Sequence, residues 1–378
     1  MLLRGRQVNS FSKSRLSSVL GLLAICATPL VFVPPLRSGD LHSRIDQYLK
    51  SKTIAKQFSG EVLVARGDDV LILGDYGRSG PKYSMKNNNL FRFPVGAIDE
   101  QFVALAVLQL EEQGKIKLAA SICDYLSNCP RDWKEIHLVH LLTHTSGLPF
   151  LKQDFPDQTN LAQSDTLQRL LAALAEQSLE SKPGSEFKYN RLDFIVLGLV
   201  IESVSGRPAD EYIGTEVFHA LKMTDTADKE EISQQGSKDL QGPPLQNRRD
   251  GTVPGWTMKD DRTYSTIEDL YRFDRALTSG AIVSQASLLQ MFTPFRDGHG
   301  LGWKIIKEFD RRAALQRGQS DGVSVSVRLY PDDDVYIILV ADGHDIDSAE
   351  LTHDIGAILF GKGYPASREA TPVSPVEK

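Results

Sequence analysis

The chain has 378 residues, of which 41% are hydrophobic and 24% are charged, and its formal net charge is −6. This length is enough for one large core or two smaller ones, and the composition is that of a globular protein. An acidic balance without a long basic run in the body of the chain argues against a nucleic-acid-binding surface.

The N-terminal segment 1–38 is predicted to be an export signal or a membrane anchor. It opens with four basic residues, Arg4, Arg6, Lys13 and Arg15. An uncharged, mostly apolar run of roughly twenty residues follows, which is the pattern of export segments. Cleavage and anchoring both stay open because no good cleavage site surrounds Cys26, and a buried hydrophobic helix is the alternative to export. We expect a periplasmic or otherwise extracytoplasmic protein, attached to the membrane through this segment if the segment is not cleaved.

Beyond this segment, hydrophobic periodicity predicts helices and strands in a mixed order. Helices are expected at 41–58, from Gly96 onward, briefly within 135–150, and at 165–177, 193–206, 208–223, 266–280 and 349–361. Strands are expected twice within 60–77, around a turn at 67–69, and at 300–306, 312–318, 323–331 and 335–342.

The order of these elements predicts an α/β (α+β) fold in which both chain ends build one antiparallel sheet flanked by helices. The sheet lobe is expected to comprise 41–115 and 262–363, and a mainly helical lobe to comprise 116–261. The polar, Gly- and Pro-rich stretch 228–255 is predicted to be a long loop, and the tail 364–378 to be disordered.

The body of the chain contains two cysteines, Cys123 and Cys129. Outside the cytoplasm such a pair can close a small loop as a disulfide. Two half-buried thiols are the alternative, and two cysteines in a chain of this length do not make a disulfide scaffold.

Several stretches, in order and spacing, resemble one family. They are "LFRFPVGAIDEQFVALAVLQLEEQGKIKL", "HLLTHTSGLP", "PGSEFKYNRLDFIVLGLVIESVSGRPADEYI", "YSTIEDLYRFDRALTSG", "GLGW" and "LYPDDDVYIILVAD". The chain resembles the serine β-lactamase and penicillin-binding protein family, in its branch of class C β-lactamases, D-Ala-D-Ala peptidases and esterases. The resemblance runs from about residue 60 to 359 and implies a β-lactamase/transpeptidase-like fold.

The three short motifs that carry this family's chemistry are degenerate here. Ser-x-x-Lys, which supplies the nucleophile and its base, is replaced by residues 97–100, with Ala97 at the serine and Glu100 at the lysine. Tyr-x-Asn keeps Tyr189 but has Arg191 at the asparagine. Lys-Thr-Gly or His-x-Gly becomes Gln316, Arg317 and Gly318, so that only the glycine is kept. No catalytic residue is therefore expected to be intact.

Other candidate nucleophiles and ligands are weaker. Residues 79–82 spell Ser-x-x-Lys, but a Gly-Pro pair between the two ends prevents a helical turn. Residues 10–13 also spell Ser-x-x-Lys, but they lie within segment 1–38, before its apolar run, and are not counted as a candidate. His144 and Ser146 suggest a Ser–His pair, in a loop that is structural in the family. His137, His140 and His144 have the helical spacing of zinc ligands, yet packed histidines are the preferred interpretation, and no metal or cofactor is expected.

The substitutions at the site suggest a second set of hypotheses. Asp99 and Glu100 in a first helical turn each gain roughly 0.3–1 kcal/mol from the helix dipole. We expect Glu100 to pair with Arg191 or Arg317 across the cleft, the alternative being that both arginines face solvent. The resemblance also implies that backbone N–H groups of Ala97 and Gln319 remain from the family's oxyanion hole.

These residues imply that the protein is a catalytically inactive relative of the family. Ala97, Tyr189, Arg191, Arg317 and Gln319 would bind a cell-wall stem peptide without a covalent bond, or the cleft would hold a protein partner. The alternative is an active serine hydrolase, such as a β-lactamase, D-Ala-D-Ala carboxypeptidase or esterase, with a displaced serine or a water-activating Glu100. A scaffold without a ligand is the third hypothesis.

Overall fold

The computed structural model describes residues 38–77, 92–127, 129–150, 174, 177–228, 263–320, 322–343 and 346–362. The predictions for the export segment, for residues 79–82 and for the tail lie outside these ranges. So do those for the helix at 165–177 and the loop at 228–255, apart from Leu174, Gln177 and Asp228. Within the described part of the chain, no helix has the length and apolar character needed to cross a membrane.

A six-stranded antiparallel sheet organises the fold. Its strands are β1 (Gly60–Arg66), β2 (Asp69–Tyr76), β6 (Lys304–Glu308), β7 (Arg311–Ser320), β8 (Val323–Tyr330) and β9 (Val335–Asp342), in the spatial order β2-β1-β9-β8-β7-β6. The N-terminal strand β1 lies between β2 and β9, with Gly60 opposite Ala341. The prediction that both chain ends share one sheet is therefore confirmed.

Helices cover both faces of this sheet. Helix α1 (Ser38–Ile54) and helix α8 (Ser348–Leu359) pack on one face, where Leu49 and Ile355 share a core with Val64 and Ile337. Helices α2 (Asp99–Glu112) and α6 (Ile267–Thr278) belong to the core on the other face. Because strand side chains alternate between faces, burial on both sides explains the nearly continuous apolar run of β9. Strand β8 is also buried on both faces, but there valines alternate with Ser324, Ser326 and Arg328, which form hydrogen bonds to α8.

The remaining elements lie mostly between α2 and the C-terminal strands in sequence. They are α3 (Leu138–Leu142), α4 (Arg191–Ser205), α5 (Ala209–Ile213), α7 (Gln285–Met291) and a small sheet of β3 (Phe93–Pro94), β5 (Thr263–Ser265) and β4 (Ala227–Asp228). A π-helical segment, Gly214–His219, continues α5. Cys123 and Cys129 form a disulfide, which decides between the two alternatives left by the sequence.

The local signals that predicted helix ends agree with the structure. The Thr266 hydroxyl accepts a hydrogen bond from the Asp269 N–H at the start of α6, as an N-cap residue does. Gly206 ends α4 in the left-handed region, with φ of 71°, a conformation that glycine adopts without strain.

Candidate functional site

The two altered residues at the start of α2 lie where the sheet meets the helices. Ala97 is in a 3₁₀ turn, Gly96–Ile98, and it is half-buried. The α-helix begins at Asp99, and Glu100 is 2% exposed. Glu100 is therefore a buried acid in the first turn of a central helix, where the helix dipole favours negative charge.

Strand β7 passes very close to this turn. A Cβ on Gly96 would lie 2.8 Å from the Gln319 nitrogen, and a Cβ on Gly318 would lie 1.9 Å from the Val95 oxygen. Gly318 is required for this close approach, which explains why it remains in a motif that has otherwise changed. The same approach brings the backbone of residues 96–97 next to that of Gln319.

A Gly318→Ala variant tests this packing. The methyl group would overlap the Val95 oxygen, so the free energy of unfolding should fall by about 1–3 kcal/mol or more. Gly214→Ala is the matched control, because nothing lies within 4 Å of its added Cβ. The control should be neutral or slightly stabilising in urea unfolding. Equal stability of the two variants would contradict the close approach.

The carboxylate of Glu100 has three partners among the described residues. Tyr189 donates its hydroxyl to Oε1 at 2.9 Å, and Gln316 donates Nε2 to Oε2 at 3.2 Å. His144 Nε2 lies 3.5 Å from Oε2. These contacts compensate the burial of the acid, since an unpaired buried carboxylate is very costly.

His144 lies between two carboxylates. Its Nδ1 is 3.0 Å from Asp193 Oδ2, opposite the contact to Glu100. The Asn190 N–H also approaches Nδ1, at 3.5 Å, but the shorter contact to a carboxylate dominates. Burial alone would lower the pKa of His144, whereas Glu100 and Asp193 outweigh burial and raise it to about 10. Two facing carboxylates favour a hydrogen on each ring nitrogen, which stabilises the imidazolium form of His144.

The backbone of His144 is held in a strained conformation. His144 has φ of 51°, a conformation that strains residues other than glycine by roughly 1–3 kcal/mol. Its N–H donates to the Leu141 oxygen, and its oxygen accepts from the Lys188 N–H. A strained residue held by hydrogen bonds on both sides is typical of a functional site.

Asp193 anchors the other side of the imidazolium. It is fully buried in the first turn of α4, and it accepts a hydrogen bond from the Ser146 hydroxyl at 2.5 Å. Burial raises the pKa of Asp193, while His144 and Ser146 oppose that rise. Ser146 is 2% exposed and donates to Asp193, not to His144. The geometry therefore does not make Ser146 a nucleophile activated by His144.

The Tyr189–Arg191 segment lies against the start of α2. Tyr189 is 46% exposed although its hydroxyl points to Glu100. Asn190 caps α4 by accepting from the Leu192 N–H, and its Nδ2 donates to the Leu148 oxygen. Arg191 Nη2 lies 3.3 Å from Asp99 Oδ2.

Strand β7 contributes the last candidates. Gln316 Nε2 lies 3.2 Å from the Ala97 oxygen and 3.2 Å from the Gly302 oxygen, so it joins β7, the turn before α2 and the Gly302 loop. Arg317 and Gln319 are exposed. The predicted pairing of Glu100 with Arg191 or Arg317 is wrong, because His144 supplies the cation and Arg191 pairs with Asp99.

Sequence reasoning missed Asp193 and undervalued His144. Asp193 is the only charged residue within "LDFIVLGLVI", an otherwise uncharged helical run, and that isolated acid was the available signal. No periodicity indicates that it meets His144, which comes from another loop. His140 has different contacts: its Nδ1 accepts from the His137 N–H, and the two rings stack at 5.0 Å. The described residues contain no group of three side chains that could hold a metal.

Comparison with known proteins identifies the family of this chain. A family model described as beta-lactamase matches residues 45–357. The putative penicillin-binding protein PbpX of Bacillus subtilis is 29% identical over 276 residues, which cover 71% of this chain and 67% of PbpX. Penicillin-binding protein 4* of the same organism is 26% identical over 336 residues, which cover 82% of this chain and 74% of that protein.

Solved structures agree with the fold. The octameric penicillin-binding protein homologue from Pyrococcus abyssi superposes with a TM-score of 0.70 at 19% identity, covering 85% of this chain and 77% of that one. A penicillin binding protein from Bacillus halodurans superposes with a TM-score of 0.65 at 24% identity, covering 83% and 98%. At these identities the likeness establishes the antiparallel sheet and its flanking helices, and not an activity.

Proposed function

Because this chain belongs to the beta-lactamase family, we propose that it is a member that no longer forms an acyl-enzyme and that binds its ligand without a covalent bond. The family match extends over residues 45–357. The observation that carries the proposal is the environment of Glu100, whose two oxygens already contact Tyr189, Gln316 and His144. By the family resemblance, Ala97 takes the position of the nucleophile beside it. A methyl group cannot attack a carbonyl, and a hydrogen-bonded carboxylate cannot replace the lysine base.

The engagement of Glu100 argues against a relocated activity. A general base needs a free lone pair directed at a water or substrate. Both oxygens of Glu100 accept hydrogen bonds from the protein, and its side chain is buried. Ser146 is buried and bound to Asp193. These contacts support loss of acyl transfer over a displaced nucleophile.

The ligand we propose is a peptide of the cell wall. The relatives are named penicillin-binding proteins, and the half-buried Ala97, the half-exposed Tyr189 and the exposed Arg317 and Gln319 lie around the former reaction centre. An extracytoplasmic location agrees with the Cys123–Cys129 disulfide, because disulfides persist in oxidising compartments. The basic and apolar N-terminal segment supports export in the same way.

Covalent labelling tests this proposal. The full chain, extracted in mild detergent, is incubated with a fluorescent penicillin and analysed by intact mass and by a denaturing gel. We expect an unchanged mass and no fluorescent band, while a penicillin-acylating enzyme treated in parallel should be labelled. A stoichiometric adduct on any serine of this chain would favour the active-hydrolase alternative.

A further inference from the structure

The hydrogen-bond donors and acceptors of Tyr189 limit which ligand groups can bind at the cleft floor, the name we give to the surface of Ala97, Tyr189 and Gln316 around Glu100. Its hydroxyl donates to Glu100 Oε1 at 2.9 Å. Burial, and then the charge of Glu100, raise the pKa of Tyr189 above its ordinary value, so the phenol keeps its hydrogen. A phenol has one hydrogen to donate, whereas a carboxylate only accepts. To any further partner, the Tyr189 oxygen therefore offers lone pairs only.

Gln316 adds no free donor beside it. Its Nε2 serves the Ala97 oxygen, Glu100 Oε2 and the Gly302 oxygen, each at 3.2 Å. Its Oε1 accepts from the Arg317 N–H. An amide has two hydrogens, so three acceptors already exceed what Gln316 can supply. Neither Gln316 nor Tyr189 therefore has a donor left for a ligand, and both can only accept.

The charge of the cleft floor favours the same kind of ligand group as its free lone pairs do. Glu100, His144 and Asp193 form one linked group of two carboxylates and one imidazolium, with a net charge of one negative unit. Moving the shared hydrogen from His144 to Asp193 leaves that sum unchanged. The nearby Asp99 is neutralised by Arg191. The field of this buried group favours a cation over an anion at the Tyr189 hydroxyl that contacts it.

We propose, building on the noncovalent function above, that the cleft floor receives the primary ammonium group of an amino acid or short peptide, which donates a hydrogen bond to the Tyr189 oxygen next to Ala97. An ammonium has three donors and no acceptor, so it matches both the lone pairs and the negative charge. A carbonyl or carboxylate oxygen of a ligand in that place would bring its lone pairs against those of the Tyr189 oxygen. The exposed guanidinium of Arg317, on β7, suits the carboxylate of the same ligand.

A pair of probes that differ in the amine tests this assignment. Binding of D-alanyl-D-alanine and of N-acetyl-D-alanyl-D-alanine to the full chain is measured by isothermal titration calorimetry at neutral pH. Acetylation removes the charged ammonium and with it the charge-assisted hydrogen bond to Tyr189. We therefore expect the acetylated probe to bind at least about tenfold more weakly. The affinity of the free-amine probe should also fall as the pH rises above the pKa of its amine.

Two substitutions assign the effect to Tyr189. Tyr189→Phe should weaken the free-amine probe about tenfold and the acetylated probe by less, because its amide N–H is an uncharged donor. Tyr76→Phe is the matched control, because Tyr76 also donates to a carboxylate, that of Asp46, at 3.3 Å on another part of the fold. Thermal melting of each variant establishes that it folds.

The outcomes separate the two proposals. Equal or tighter binding of the acetylated probe, or no binding of either probe up to about 10 mM, overturns the ammonium site. An unchanged affinity of Tyr189→Phe for the free-amine probe overturns it as well. Each of these results leaves the absence of acylation standing, whereas a covalent penicillin adduct defeats that proposal whichever probe binds.

Discussion

Replacing His144 with asparagine is expected to lower the free energy of unfolding by about 3–5 kcal/mol, because it leaves buried carboxylates without their cation. Glu100 and Asp193 are 2% and 0% exposed, and the imidazolium lies between them. Asparagine tolerates the positive φ of this position, so the loss reports the charge and not the backbone. Urea unfolding, followed through the buried Trp133 and Trp303, provides the measurement.

Two controls isolate the charge in that experiment. His219→Asn removes an exposed histidine and should change stability by less than about 0.5 kcal/mol. Adding Glu100→Gln to His144→Asn removes one of the two uncompensated acids, so the double variant should regain part of the loss. A His144→Asn variant within about 1 kcal/mol of the parent would mean that the triad is not held by charge.

The pH dependence of stability gives an independent check on His144. Its pKa is raised from 6.5 to about 10 in the folded state, so the folded protein binds an additional proton between these values. The stabilising contribution of His144 is therefore complete below pH 6.5 and is lost as the pH rises through about 10. His144→Asn should lack this decline.

The double variant Ala97→Ser, Glu100→Lys should show no hydrolysis of a chromogenic cephalosporin and no labelling by a fluorescent penicillin. The introduced ammonium would face the imidazolium of His144 and the donors of Gln316 and Tyr189, in place of the carboxylate that these groups now contact. Like charges in a buried site repel strongly. A nucleophile and base that act as a unit lose about 10⁶-fold in rate when either fails.

Controls for this variant distinguish a failed site from a failed fold. Ala97→Ser alone adds one hydroxyl to a half-buried position and should fold like the parent and remain unlabelled. The double variant should unfold at a lower urea concentration than this single variant. Measurable turnover by the double variant would show that His144 and Gln316 do not block the chemistry.

Much of the fold could be predicted because its signals are local. The helical spacing of α1, the turn between β1 and β2 and the Thr266 cap each depend on residues close in sequence. The shared sheet followed from the presence of strands at both chain ends with helices between them. The degenerate motif at 97–100 was equally visible, since its residues are consecutive in the sequence.

The partners within the site could not be predicted, because they join distant segments. Arg191 and Arg317 looked like the natural cations for Glu100, because the motifs that contain them border the same cleft in the family. The fold places Asp99 beside Arg191 and His144 beside Glu100. The choice of partner among several charged groups depends on side-chain rotamers and burial. The spacing of residues in the sequence specifies neither of these.

The position of β1 has a consequence for how the protein is made. This strand lies early in the chain but pairs in register with β9, so that Gly60 meets Ala341. Contacts between such distant segments fold slowly, because a long loop must close first. During synthesis the centre of the sheet therefore stays open until the last strands emerge. Until then, the edge of β1 that faces β9 has no partner within the sheet.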